Sequence, residues 1–339
     1  MNRHYCCYFD HRYLPRGLAM MRSLRRFDAE STLWLLCLSD ECFRIMSELH
    51  EPGVRLIRLA DLEAGDAALR AAKSNRTLIE YYFTCTPSLV SYVLKRVDAG
   101  DFVTYVDGDL FFYSTPNALY DELGDGAVSI IPHRFGPTVR HLERFGIYNV
   151  GWMTFRNDSR GVSVADWWRN RCNEWCYDML DGHRFADQKY LDQFERLFDG
   201  VVVLRHPGAN LAPWNLERHA LSSARGTLWV DETAPLIFFH FHGMRSVGSR
   251  IYVAEHHRYG APFNGLIRRA IYRPYIEFLE RIKAELASRA PLPSTLLTRN
   301  ASKHARFSRR LIARMRQPAK NVLALLRGHA VVVVKGRAI

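Results

Sequence analysis

Four short apolar runs in the first 107 residues, with helical spacing between them, constrain the fold of this chain more than any other feature. They are "HYCCYF" (4–9), "TLWLLCLS" (32–39), "GVRLIRLADL" (53–62) and "DFVTYVD" (101–107), each read as a buried strand. Between them, "LPRGLAMMRSLRR" (14–26) has helix periodicity, and a second helix is expected over 40–50. A third is expected from about Pro87, with Thr86 as N-cap and the proline at the first helical position. Strand–helix alternation of this kind builds a parallel α/β sheet. Ligands of such sheets bind outside the carboxyl ends of the strands.

Further along, the pattern is mixed. "GAVSIIP", "YNVGWMTFR", "GVVVLRH" and "PLIFFHFHG" read as strands, while "VADWWRNRCNEWCYDML", "ADQKYLDQFERLF" and residues 264–288 read as helices. "APLPSTLLT" (290–298) has linker composition. With 339 residues, 48% of them hydrophobic, the chain can bury a full core. The net charge of +12 invites a nucleic-acid reading, but no acidic residue follows Glu285, and Arg289 to Arg337 carry 12 Lys and Arg. The body is therefore electrically balanced, and the excess belongs to the last fifty residues. The seven cysteines are an odd set, mostly in apolar runs, without a paired CxxC, and are expected as buried reduced thiols. The start, "MNRHYCCYFD", lacks the apolar region of a signal peptide, and no apolar run is long enough to span a bilayer. The expectation is a cytoplasmic protein.

The stretch "YVDGDLFFY" places Asp107 and Asp109 just past the fourth strand. Two carboxylates one residue apart at a strand end can share a hard divalent cation. An EF-hand loop starting at Asp107 would need glutamate at its twelfth position, which is Ala118. A phosphohydrolase with Asp107 as nucleophile would be followed by a smaller residue than Phe111 or Phe112. A capping aspartate in a polar turn gives the same short pattern. Other motifs weigh in. "HFHG" ends an apolar strand with His240 and His242 on one face, and histidine suits manganese. Arg245 follows, in reach of a phosphate. Asn149 and Gly151 lie in "YNVG", Asp187 and Gln188 at the start of a helical pattern, and Trp214 and Asn215 in the loop "HPGANLAPWNL".

The order "DGD", "YNVG", "ADQ", "PWN", "HFHG" resembles that of retaining GT-A-fold glycosyltransferases related to glycogenin and bacterial lipopolysaccharide galactosyltransferases. The likeness spans roughly residues 4–245. It implies a GT-A, Rossmann-like α/β fold with a mixed, mostly parallel sheet flanked by helices. It also implies a UDP-sugar donor and Mn²⁺ or Mg²⁺ held by Asp107, Asp109 and His240, the latter matching better than His242. By the same resemblance, Asn149 lies near the donor sugar and Asp187 and Gln188 near the anomeric carbon. Asp10 and Tyr13 would face the base and, more loosely, Arg76 the diphosphate. Where many members carry a second acid after the "DQ" pair, this chain has Lys189.

The resulting expectation is a catalytic domain over 1–288 and a linker with a basic, helical amphipathic tail over 289–339. The activity expected is metal-dependent transfer of a sugar to a glycan or lipid-linked glycan, with retention. The alternatives are a DxD phosphohydrolase and a non-catalytic sugar- or polyanion-binding protein. In the tail, "HARFSRRLIARMR" (304–316) puts Phe307, Leu311 and Met315 on one helical face. Basic amphipathic segments bind anionic membranes, so peripheral attachment to the inner face of a membrane is expected. No aromatic platform accompanies these charges, which argues against nucleic acid.

Overall fold

The computed structural model describes residues 1–247, 251–289, 330–334 and 337–338. The strands are β1 (Arg3–Phe9), β2 (Thr32–Cys37), β3 (Val54–Arg58), β4 (Phe102–Val106), β5 (Leu110–Phe112), β6 (Val128–Pro132), β7 (Tyr148–Arg156) and β8 (Val201–Val203), followed by β9 (Leu221–Ala224), β10 (Thr227–Val230), β11 (Ala234–Pro235), β12 (Phe238–His240), β13 (Arg245–Val247), β14 (Ile251–Val253), β15 (Ala330–Val334) and β16 (Arg337–Ala338). The helices are α1 (Leu14–Arg25), α2 (Asp40–Leu49), α3 (Leu59–Ala64), α4 (Ala67–Ala72), α5 (Leu78–Leu94), α6 (Asn117–Leu123), α7 (Ser159–Glu174), α8 (Phe194–Leu197), α9 (Gly265–Ile267) and α10 (Arg273–Arg289).

Seven strands form the main sheet in the order β3-β2-β1-β4-β7-β6-β8. Neighbours run parallel except around β7, which is antiparallel to both β4 and β6. The sheet is thus mixed and mostly parallel, as the resemblance implied, with β7 the departure from the all-parallel sheet that the alternation alone suggests. Consecutive residues of β1 and β2 point to opposite faces, and both faces are buried. Tyr5, Cys7, Phe9, Leu33 and Leu35 enter one core with α1 and α10, while Cys6, Trp34 and Leu36 enter another with α5 and α7. This double burial explains why the strand residues are apolar without alternation. All seven cysteines are buried and free.

Several boundaries differ from expectation. The helix expected from Pro87 is α5, which starts nine residues earlier. Thr77 and Glu80 form a capping box there: the Thr77 hydroxyl accepts the Glu80 N–H at 3.4 Å, and Glu80 accepts the Thr77 N–H at 2.8 Å. Pro87 therefore lies inside the helix and Thr86 is an interior residue. The third strand stops at Arg58 and passes into α3. The "ADQ" helix is a 3₁₀ turn over Lys189–Gln193 followed by the short α8.

Smaller sheets sit at the edges. β5 pairs antiparallel with β12, and β13 to β16 form a four-stranded sheet. Within the segment expected to be a tail, Ala330–Val334 and Arg337–Ala338 are therefore strands, and Val331, Val333 and Ala338 join the main core. The basic stretch 304–316 lies outside the described residues. Among the described residues no helix is long and apolar enough to cross a membrane.

Candidate metal centre

The site grows from neighbouring strand ends. β1 and β4 lie side by side and parallel, so Asp10 and Tyr13, just after β1, and Asp107 and Asp109, just after β4, fall at one end of the sheet. β7 runs back along β4, with Trp152 opposite Val106, and brings Asn149 and Gly151 to the same end. The β5–β12 pair supplies the last element. His240 stands opposite Leu110, and the Phe241 N–H donates to the Asp109 carbonyl at 3.0 Å.

Asp107, Asp109 and His240 converge, with one donor atom from each within 4.8 Å of the others. His240 Nε2 lies 3.0 Å from Asp109 Oδ1 and 3.8 Å from Asp107 Oδ2. Two carboxylates and an imidazole are a donor set for a divalent cation of the manganese or magnesium kind. The fit is supported from below by Gly151. A Cβ there would sit 3.1 Å from Asp107 Oδ2 and 3.1 Å from His240 Cε1, so only glycine leaves this cradle open.

Electrostatics matches the same reading. Burial pushes Asp107 up to about 6, with the neighbouring Asp109 adding and His240 opposing. Burial also acts on Asp109, but His240 and Arg16 outweigh it and hold its carboxyl below the usual range. His240 would be driven neutral by burial, yet the two aspartates raise it above its ordinary value.

The surrounding residues orient these three. The Tyr105 hydroxyl donates to Asp107 Oδ1 at 2.9 Å, and the Tyr13 hydroxyl to Asp109 Oδ2 at 2.9 Å. The Asp107 N–H donates to the Gly151 carbonyl at 3.1 Å. Asn149 is 7% exposed and locked at both ends. Its Oδ1 accepts the Gly151 N–H at 3.0 Å, and its Nδ2 meets His133 Nε2 at 3.2 Å. His133 Nδ1 lies 3.1 Å from the Ile147 carbonyl, so Nδ1 carries the proton and Nε2 accepts. Burial holds His133 down to about 3, which keeps it neutral in this role.

Asp187 is 6% exposed and sits behind Asp107 in a polar cluster with Tyr8, Thr86 and Tyr105. Burial pushes its carboxyl up to about 7, with Asp107 adding to the rise and a hydrogen bond from Thr86 opposing it. Gln188 donates from Nε2 to the Phe145 carbonyl at 2.9 Å.

Other expected ligand contacts are redirected. Trp214 is 3% exposed, its indole N–H donates to the His133 carbonyl at 2.9 Å, and its ring lies edge-on to His240 with centroids 5.0 Å apart. It forms the floor under the histidine and presents no free face to a sugar. Asn215 is fully buried, and its amide serves Ala212 N–H, His133 C=O and Asn210 C=O. Arg245 pairs with Glu255 at 3.0 Å. Arg76 stacks on Tyr177 at 3.9 Å and donates to the last carbonyls of α7, and none of its contacts touches the triad. Asp10 caps the turn that carries Tyr13, accepting the Arg12 N–H at 2.9 Å. Residues missed by sequence reasoning are Arg16, Tyr105 and His133. "YVD" hinted at Tyr105, since residues two apart in a strand share a face. Nothing local marked the other two.

No family model matches the chain. It is 32% identical over 254 residues to the uncharacterized protein YfnF of Bacillus subtilis, covering 73% of this chain and 83% of that one. It is 29% identical over 291 residues to the uncharacterized protein YfnD of the same organism, covering 85% and 92%. Among solved structures, the galactosyltransferase LgtC overlaps at TM-score 0.43 and 13% identity, covering 71% of this chain and 87% of that one. The glycosyltransferase GlyE of Streptococcus pneumoniae overlaps at TM-score 0.39 and 19% identity, covering 62% and 46%. Overlaps this loose carry no argument about activity.

Proposed function

We propose that this chain, which belongs to the same family as YfnF of Bacillus subtilis, is a metal-dependent glycosyltransferase that moves a sugar from a UDP-sugar to a glycan or lipid-linked glycan, with retention. The observation that carries the reading is the Asp107–Asp109–His240 cluster over the Gly151 cradle at the carboxyl end of a mostly parallel sheet. In this reading the three side chains hold Mn²⁺ or Mg²⁺. When bound, the cation supplies Lewis-acid stabilisation of the charge growing on a departing diphosphate. Tyr13 and Asp10 border the nucleotide, Tyr13 also fixing Asp109. Arg245 and Arg76 reach the diphosphate only by leaving their present partners. Asn149, Asp187 and Gln188 flank the sugar, and Trp214 and Asn215 support it from beneath. The basic stretch after Arg289 attaches the enzyme to an anionic membrane surface.

The test is calorimetry with UDP, with and without Mn²⁺, together with a screen of UDP-sugars for metal-dependent hydrolysis. Metal-dependent UDP binding and turnover are expected. Asp109→Ala should abolish that turnover, and circular dichroism of the same protein checks the fold, because this carboxylate also accepts from Tyr13 and pairs with His240. An Asp109→Ala protein with normal activity in metal-free buffer would sink the proposal.

A further inference from the structure

Arg16 stands in the first turn of α1 and is 5% exposed. A guanidinium keeps its charge inside a protein, and buried charges are normally paired with an opposite one. Among the described residues Arg16 has no carboxylate in direct contact. Its Nη1 donates to the Tyr13 hydroxyl at 3.3 Å and its Nη2 to the Met244 carbonyl, while Nε is buried with no partner among the described residues. The negative charge that answers it is Asp109, reached through one hydroxyl: Tyr13 donates onward to Asp109 Oδ2 at 2.9 Å.

These bonds close a ring. Asp109 accepts at its carbonyl from Phe241 N–H at 3.0 Å, and Phe241 accepts at its carbonyl from Met244 N–H at 3.2 Å. Met244 accepts from Arg16, Arg16 donates to Tyr13, and Tyr13 returns to the Asp109 carboxylate. The ring thus joins the residue before β5 to the turn after β12, the two segments that carry Asp109 and His240. Resting on the metal reading of that cluster, we propose that Arg16 is a positioning residue: its planar fork fixes the Tyr13 hydroxyl and the turn after His240, and so sets the spacing of Asp109 and His240 for a divalent cation. Arginine suits the position because one rigid group spans a hydroxyl on one side and a carbonyl on the other. A lysine keeps the charge and loses the fork. An apolar residue leaves both acceptors without a donor.

The experiment is Mn²⁺ titration of the full chain without nucleotide, read by the electron paramagnetic resonance of free Mn²⁺. Wild type is compared with Arg16→Met, Arg16→Lys, Tyr13→Phe and the Arg16→Met/Tyr13→Phe pair. Supporting side chains around a metal typically contribute about 10–100-fold in affinity, and Arg16→Met should lose a factor of that order. Arg16→Lys should lose less. The double variant should lose less than the product of the two single losses, because Arg16 acts partly through Tyr13. An Arg16→Met protein that binds Mn²⁺ like wild type overturns the proposal, and so do losses that simply multiply. If Arg16→Met does not fold by circular dichroism, Arg16→Lys and Tyr13→Phe decide: both must weaken Mn²⁺, and wild-type affinity in both overturns the proposal. A wild-type chain that binds no Mn²⁺ overturns the metal reading itself, and this inference with it.

Discussion

Replacing Gly151 by alanine should damage the metal centre more than the fold. The new Cβ would lie 2.5 Å from Asn149 Oδ1, closer than non-bonded atoms approach, and 3.1 Å from both Asp107 Oδ2 and His240 Cε1. Asn149 cannot turn aside freely, because its oxygen accepts from Gly151 at 3.0 Å and its nitrogen meets His133 at 3.2 Å. Breaking one of these leaves a buried polar atom unsatisfied, at about 1–3 kcal/mol. Overpacking a buried site by one methyl falls in the same range, about 1–3 kcal/mol. Together these come to about 2–6 kcal/mol, below the middle of a typical stability of about 5–15 kcal/mol, so the domain is expected to stay folded with a lowered urea midpoint. The two remaining contacts press on the ligand groups themselves. Displacing donors by a few tenths of an ångström should weaken Mn²⁺ by about 10-fold or more, as loss of a supporting group does. Urea unfolding and Mn²⁺ titration of the same protein measure both effects. Wild-type Mn²⁺ affinity together with lost stability would refute the cradle, since the strain would then be absorbed away from Asp107 and His240. No loss of either kind would refute the close approach of β7 to the triad.

Two further outcomes follow from the same geometry. Asp187, pushed by burial to about 7 against roughly 4 in an unfolded chain, takes up a proton on folding; its contribution to stability is full below about pH 4 and is lost as pH rises through 7. Asp187→Asn should therefore gain on wild type between pH 4 and pH 8, by roughly 4 kcal/mol at most, and a constant difference in urea midpoints across that range would refute the buried carboxyl. For the basic stretch, changing Arg306, Arg309, Arg310 and Arg316 together to glutamine should release the protein from anionic liposomes at low salt, each cation contributing about 1 kcal/mol; equal sedimentation of both proteins would reject the anchor. Neutralisation is a cleaner test than truncation, because Val331, Val333 and Ala338 belong to the core and their removal would uncover β14.

The order of buried strands was legible because strands apolar on both faces leave a continuous signature, and β1, β2 and β4 fall where the apolar runs are. The candidate cluster was legible for a different reason. Carboxylates and an imidazole that could share a cation are recognisable side chains, and Asp107, Asp109 and His240 stand beside β4 and β12 in the sequence as they do in the fold. Proline's preference for the first helical turn points to Pro87 as the start of α5, but a stronger local signal lies upstream. Thr77 and Glu80, three apart, cap the helix from both sides, and the lost hydrogen bond at Pro87 is accepted within a helix buried against α7. At Asp187 the pattern suggested a helix start, but Ala186 holds a left-handed φ of 45° and only a 3₁₀ turn follows. The carboxylate is governed by burial beside Asp107 rather than by a helix dipole.

Arg16 shows where such reading stops. It lies three residues after Tyr13 and 228 residues before Met244, and it bonds to both. Within α1 it looks like one more arginine on an amphipathic helix, because "LPRG" gives no sign that this turn is covered. α1 is enclosed because the sheet lies on one side and α10 closes the other, and α10 comes from the far end of the described chain. Periodicity reports how a segment meets its nearest layer and is silent about a second layer arriving 260 residues later. The same holds for His133, which stacks on Phe135 at 4.6 Å and fixes Asn149 from across β6 and β7. Residues that touch a ligand must carry recognisable chemistry, whereas residues that hold them in place need only the right neighbour. That difference predicts that substitutions at Arg16 and His133 act on metal affinity through geometry, and that Mn²⁺ titration will show them rescued by restoring the hydrogen-bonding group, a donor at Arg16 and an acceptor toward Asn149 at His133, rather than a charge.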